Sequence, residues 1–238
     1  MARAEGASAS RAISVRADAL LFDMDGTIAD SVEAVEYAWA EWAREMGVEP
    51  PDLGLHHGRT AVAIASDVLP ASLVEQGVRR ISEIESDPSL PCSPTPGALE
   101  LIGSLPRDRW GVVTSAVRSV AMARLTNAGI GEPQVFVSGD EVARSKPDPE
   151  PFRLGRERIG AGEGSGRTVL AFEDTATGLR SARAAGCTTV GIIGTESRAS
   201  LAAHADFVIT GLTRVRVEHT DESGVMISIA PVDPAEEA

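Results

Sequence analysis

At 238 residues, 43% hydrophobic and 24% charged, the chain has the apolar material for a substantial core and is too mixed in composition to be disordered or collagen-like. A formal net charge of -13 argues against a nucleic-acid partner, since phosphate backbones attract Lys and Arg rather than carboxylates. Its apolar runs fall short of the about 20 residues a membrane span needs, and Cys92 and Cys187, far apart and without metal-ligand or redox spacing, point to a reducing cytoplasm.

In chain order, residues 1–16 are rich in Ala, Ser and Arg but lack the continuous apolar stretch of a secretory signal. They read as a disordered tail, with an organelle transit peptide as the other reading. Ala19–Asp23 is the first short apolar run read as a strand, followed by Trp110–Thr114, Val135–Ser138, Val169–Phe172, Thr189–Ile193 and Phe207–Ile209. Runs this continuously apolar suit parallel strands buried on both faces. Helical patterns alternate with them at Ser31–Met46, Thr60–Leu69, Leu73–Ser86, Ala98–Ser104, Ser119–Asn127, Pro149–Arg158 and Gly178–Ala185, several stopping at a glycine such as Gly47, Gly129 or Gly186. The alternation predicts an α/β fold with a Rossmann-like parallel-sheet core. The connection from the first strand to the second is far longer than one crossover helix requires, so it must hold structure of its own. Its three helices, closed by the proline-rich Pro88–Pro96, predict a small α-helical cap domain over 31–94, inserted into a core of 17–30 and 95–232. The alternation of Val215, Val217, Val225, Ile227 and Ile229 around Glu222-Ser223-Gly224 predicts a terminal hairpin.

Four constellations carry chemistry. The first strand runs into Asp23-Met24-Asp25-Gly26-Thr27, placing two carboxylates at a strand end, where open parallel sheets bind ligands. Two close acids can divide labour, one as nucleophile or metal ligand and the other as general acid. A plain strand-to-helix turn would also use Asp, Gly and Thr. The second strand ends in Thr114-Ser115, which fits either a phosphate seat at a helix start or simple helix capping. Lys146, in Ser145-Lys146-Pro147-Asp148-Pro149-Glu150-Pro151, is an ammonium on a stiffened loop, or else a solvated lysine before a proline-started helix. The strand Val169–Phe172 runs into Glu173-Asp174, hard oxygen ligands suited to magnesium, or acids favoured by a helix dipole.

In order and spacing these four resemble the signature motifs of the haloacid dehalogenase superfamily, over nearly the whole chain from Leu20 to about Ile229. The resemblance implies a first strand flanked by the strands bearing the second and fourth motifs. It implies Asp23 as the nucleophile that becomes an aspartyl phosphate, Asp25 as general acid and base, and Thr114, Ser115 and Lys146 as phosphate-binding residues. It also implies Mg2+ on Asp23, Asp25 and Asp174, with Glu173 as a ligand directly or through water. An acid at position 25 departs from the dehalogenases and favours phosphoryl transfer, while the absence of lysine from Ser31–Pro91 sets aside the phosphonate-cleaving branch. Closer similarity, in His57-Gly58-Arg59-Thr60, Lys146 to Pro151 and Val215-Arg216-Val217, is to glycerol-3-phosphate, 2-deoxyglucose-6-phosphate and sugar phosphatases; Asp148 departs from it, where several of them carry His. The implied activity is hydrolysis of a small sugar or polyol phosphate, by a monomer or weak homodimer. A hexose-phosphate mutase resembling β-phosphoglucomutase and a non-catalytic phosphometabolite-binding relative are the rival readings. Arg59 and His57 are the expected substrate contacts from the cap, since a guanidinium pairs well with phosphate oxygens.

Overall fold

The computed structural model describes residues 12–53 and 59–232. It begins with β1 (Ile13–Ala17), which runs on into β2 (Ala19–Phe22). After the turn at Asp23 to Ile28 come the two-residue β3 (Ala29–Asp30) and the helices α1 (Val32–Met46), α2 (Ala61–Val68) and α3 (Ala71–Glu85). The equally short β4 (Ser93–Pro94) returns the chain by pairing antiparallel with β3. Helices and strands then alternate through α4 (Ala98–Gly103), β5 (Trp110–Val113), α5 (Arg118–Asn127), β6 (Val135–Val137), α6 (Glu150–Arg158), β7 (Val169–Glu173), α7 (Ala176–Ala184), β8 (Thr188–Ile192), α8 (Arg198–Ala202) and β9 (Phe207–Ile209). A hairpin of β10 (Val215–Asp221) and β11 (Gly224–Ile229) ends the regular structure.

The apolar runs assemble as expected into one six-stranded parallel sheet in the order β6-β5-β2-β7-β8-β9. The first strand of the sheet, β2, lies between β5 and β7. Successive side chains leave a strand on opposite faces, and the strands serve two cores accordingly. Leu20, Phe22, Val112, Phe136, Leu170 and Phe172 pack on one face. Ala19, Leu21, Val113, Val135, Val169 and Ala171 pack on the other. Phe22 and Phe172 stack across the β2–β7 pair with ring centroids 4.9 Å apart. Among the described residues no helix is long and apolar enough to cross a membrane.

The expected tail through residue 16 is corrected: Ile13–Ala17 is a strand, paired antiparallel with β11 from Ile13↔Ile229 to Ala17↔Val225. The cause lies at the far end of the chain. Val225, Ile227 and Ile229 are fully buried, and a hairpin contributing such a face to a core is stabilised by a third strand on its open edge. Helices α1 to α3 build a core of their own around Trp39, Trp42, Ile64, Leu69 and Ile81. Trp42 is wholly buried, and its indole N–H donates to the Gly77 carbonyl at 2.8 Å, joining α1 to α3.

Candidate active site

The ends of three adjacent strands converge. Asp23 follows β2 and extends its register, its N–H donating to Phe172 O on β7 at 2.9 Å. Thr114 follows β5, with its N–H on Val137 O. Glu173 closes β7 and Asp174 follows it. Carboxylate oxygens of Asp23, Glu173 and Asp174 lie within 4.8 Å of one another, and all three residues are buried. Lys146 reaches this cluster from the loop before α6 and is 2% exposed. Its Nζ donates to Asp23 Oδ1 at 2.5 Å, Glu173 Oε1 at 2.7 Å and Val113 O at 3.1 Å, and lies 5.3 Å from the centre of the Phe152 ring.

Two glycines let the acids come this close. A Cβ on Gly26, whose φ is +76°, would stand 2.1 Å from Asp174 Oδ2, and one on Gly178 would stand 1.8 Å from Glu173 Oε1. Glu173 is held by Lys146 on one oxygen, while the other accepts from the Thr175 hydroxyl at 2.9 Å. Asp174 accepts from the Thr195 hydroxyl.

Three carboxylates facing one ammonium, if all ionised, would carry two excess negative charges in a buried cluster. Burial pushes the Asp23 carboxyl well above the usual range, with Lys146 opposing and Glu173 and Asp174 adding to the rise. Burial, and then Glu173, push Asp174 up to about 7. Burial works against the Lys146 ammonium, but Asp23 and Glu173 outweigh it and raise its pKa. Crowded hard oxygens with excess negative charge fit a divalent cation such as magnesium. Asp23 and Asp174 border the open cleft, and Glu173 stands behind them with both oxygens engaged.

The cleft has a volume of about 290 Å³ and runs from Asp23, Thr114 and Asp174 on the sheet to Trp39, Arg59 and Glu85 on the helical unit. The Thr114 hydroxyl accepts from Ala116 N–H at 3.1 Å, a local turn contact that leaves its proton available for a ligand. Ser115 also lines the cleft. Lys146 does not: among the expected phosphate-binding residues it alone lies beneath the floor, against Asp23. Arg59 lines the cleft beside the start of α2 and pairs with Asp67 at 2.7 Å. His57 lies outside the described residues.

Asp25 stands apart from the acid cluster and lines the cleft. Both of its oxygens accept from Arg124 NH1 at 2.9 Å, and Oδ1 also accepts from the Ser31 hydroxyl at 2.5 Å. The other Arg124 nitrogen donates to Glu85 on α3 at 2.8 Å. The sequence reading missed Arg124, Glu85 and Thr195. An arginine inside a helical pattern and a glutamate in the last turn of another helix read as solvated, and a loop threonine carries no local signal.

The family model for haloacid dehalogenase-like hydrolases matches residues 20–192. The chain is 31% identical over 219 residues to hexitol phosphatase A of Escherichia coli, covering 90% of this chain and 100% of that one. It is 32% identical over 234 residues to 2-deoxyglucose-6-phosphate phosphatase 2 of Saccharomyces cerevisiae, covering 89% and 95%. Among solved structures it is similar to CbbY from Rhodobacter sphaeroides in complex with phosphate, with 26% identity, a TM-score of 0.69, and coverage of 82% and 95%.

Proposed function

The chain belongs to the haloacid dehalogenase-like hydrolases, and on that premise we propose that it is a phosphatase acting on a small sugar or polyol monophosphate. The observation that carries the reading is the buried Asp23 carboxylate tied to Lys146 at the floor of a cleft of substrate size. Asp23 forms a bond to phosphorus as the bond from phosphorus to the leaving oxygen breaks, and Asp25 supplies the proton that oxygen takes up. Water then attacks the phosphorus of the aspartyl phosphate, Asp25 takes its proton, and the bond to Asp23 breaks to release inorganic phosphate. Lys146 holds Asp23 in place and offsets its charge. Thr114 and Ser115 donate to the phosphoryl oxygens, so that positioning and charge neutralisation provide most of the catalysis. Asp23 and Asp174 would hold magnesium, with the Asp25 main chain and Glu173 in support, and the ion would neutralise charge on the transferring group. Residues 31–94 serve as a cap that closes the cleft, excludes water and presents Arg59 and His57 to the sugar or polyol end.

The test is magnesium-dependent release of phosphate from a panel of sugar and polyol monophosphates, followed by phosphorus NMR. We expect free phosphate from a preferred member and none from Asp23→Asn, which keeps its fold but has neither an anionic nucleophile nor a comparable ligand. Turnover by Asp23→Asn would refute the mechanism. Conversion of a hexose 1-phosphate to its 6-phosphate without comparable hydrolysis would replace the phosphatase reading with that of a mutase.

A further inference from the structure

Arg124 is an unusual residue to find in the middle of α5: the residue is 6% exposed and its guanidinium stands between two acids that belong to different parts of the fold. One is Asp25, in the turn after β2. The other is Glu85, in the last turn of α3 and only 10% exposed at its side chain. Taking Arg124 and Glu85 almost wholly, and Asp25 in part, out of water is costly, and apolar side chains of similar volume would often be at least as stable. The arrangement therefore calls for a reason other than stability, and its geometry supplies one. The pair of bonds from NH1 to both Asp25 oxygens fixes the plane of that carboxylate, and the bond from NH2 to Glu85 fixes the guanidinium in turn. Burial raises the pKa of Glu85, with Arg124 opposing, as for a carboxylate whose main counter-charge is that guanidinium.

We propose that Arg124 is the positioning residue for Asp25, and that Glu85 makes this hold depend on α3 being seated against α5. The placement of the helical unit is thereby read directly at the group that exchanges protons. This rests on the phosphatase reading, and specifically on Asp25 acting in both halves of the reaction. With α3 seated, Asp25 is aimed; with Glu85 withdrawn, the guanidinium can swing and Asp25 swings with it. A misaimed Asp25 slows attack by water on the aspartyl phosphate, a step that is the same whatever alcohol has left.

The experiment compares the wild type with Arg124→Lys, Glu85→Gln and the double variant on the preferred substrate of the panel and on para-nitrophenyl phosphate, with acid-quenched samples analysed for phosphate covalently bound to the protein. A lysine keeps the charge but loses the two-point hold. The glutamine keeps the size of Glu85 and most of its packing, so it reports even if Arg124→Lys folds poorly. We expect Arg124→Lys to lower kcat by roughly tenfold to a hundredfold on both substrates, with KM changed by less than about threefold. Glu85→Gln should shift kcat the same way by less, and the double variant should be no slower than Arg124→Lys, the non-additivity of residues acting through one another. With para-nitrophenyl phosphate, whose leaving group needs no proton from Asp25, the fraction of phosphorylated enzyme at steady state should rise in each. Unchanged kcat in both single variants, losses confined to KM or thermal stability, additive effects, or no accumulation of phosphoenzyme would each overturn the inference while leaving the phosphatase reading intact. A wild type that releases no phosphate from any substrate would remove both.

Discussion

Lys146 has three N–H donors, and the fold gives it three acceptors in three directions: Asp23, Glu173 and the Val113 carbonyl. A planar guanidinium could not serve that set, which accounts for an ammonium here. Lys146→Met would leave two buried carboxylates without their counter-charge. It should destabilise the ion-free protein at neutral pH by about 3–5 kcal/mol, measured by denaturant unfolding, and abolish turnover. A second prediction follows from Asp174. With its carboxyl pushed up to about 7, the folded ion-free protein retains a proton that an unfolded carboxyl releases near pH ~3.9. The raised value therefore contributes stability that is fully present below about pH 4 and is lost as pH rises through about 7. A bound divalent cation needs the carboxylate and reverses this. Magnesium at about a hundred times its Kd adds about 2.7 kcal/mol, or roughly 5–11 °C in Tm for a chain of this size. The shift should be larger at pH 8 than at pH 5.5 by thermal unfolding, and equal shifts would refute the assignment of Asp174. Asp23, Asp25 and Asp174 were legible as candidates because each stands at or just beyond the end of a continuously apolar run. Arg124 and Thr195 were not, because their partners are 99 and 21 residues away in the chain and nothing local marks them.

Among the elements, β3 and β4 decide how the helical unit is hung. The chain leaves the sheet through Asp30 and returns through Ser93, and these two residues are themselves paired, so both tethers form one antiparallel hinge. Strands two residues long have no periodicity to read, and they went unseen in the sequence. β1 was missed for a different reason: the alternation of Ile13, Val15 and Ala17 is weak alone and acquires meaning only beside β11. The start of α1 at Ser31 was legible, but not its use. A serine in that position normally accepts from the helix backbone, whereas here the hydroxyl donates to Asp25 and α1 begins without a side-chain cap. Arg59 is the element-scale test of specificity. Its pair with Asp67 is partly exposed and worth under ~1 kcal/mol, so Arg59→Ala should leave thermal stability nearly unchanged. It should lower kcat/KM for the preferred sugar or polyol phosphate by at least roughly tenfold, about 1.4 kcal/mol, and that for para-nitrophenyl phosphate much less. Equal losses on both would assign Arg59 to the phosphoryl group itself.

For the molecule as a whole, the parallel sheet accounts for the convergence of residues as distant in sequence as Asp23 and Asp174, because adjacent strands end side by side. The central order β5-β2-β7 was implied by the family resemblance, while the places of β6, β8 and β9 were not called from the sequence. The three-stranded sheet of β1, β11 and β10 was half readable, as a hairpin without its third strand. The floor of the cleft also has a chemical singularity: of 22 Lys and Arg side chains Lys146 is the sole lysine, and every other is arginine. The folded protein thus presents no ε-amine to solvent, since this one is 2% exposed and bonded on all sides. Acylation by an amine-directed reagent should therefore add a single label, at the chain's α-amine, while the core is closed. A second label should follow only at the rate at which the core opens, read as a mass increment by intact-mass spectrometry. Rapid double labelling under native conditions would show that the floor breathes freely. Slow labelling makes Lys146 a built-in clock for the opening of the buried cluster that encloses it.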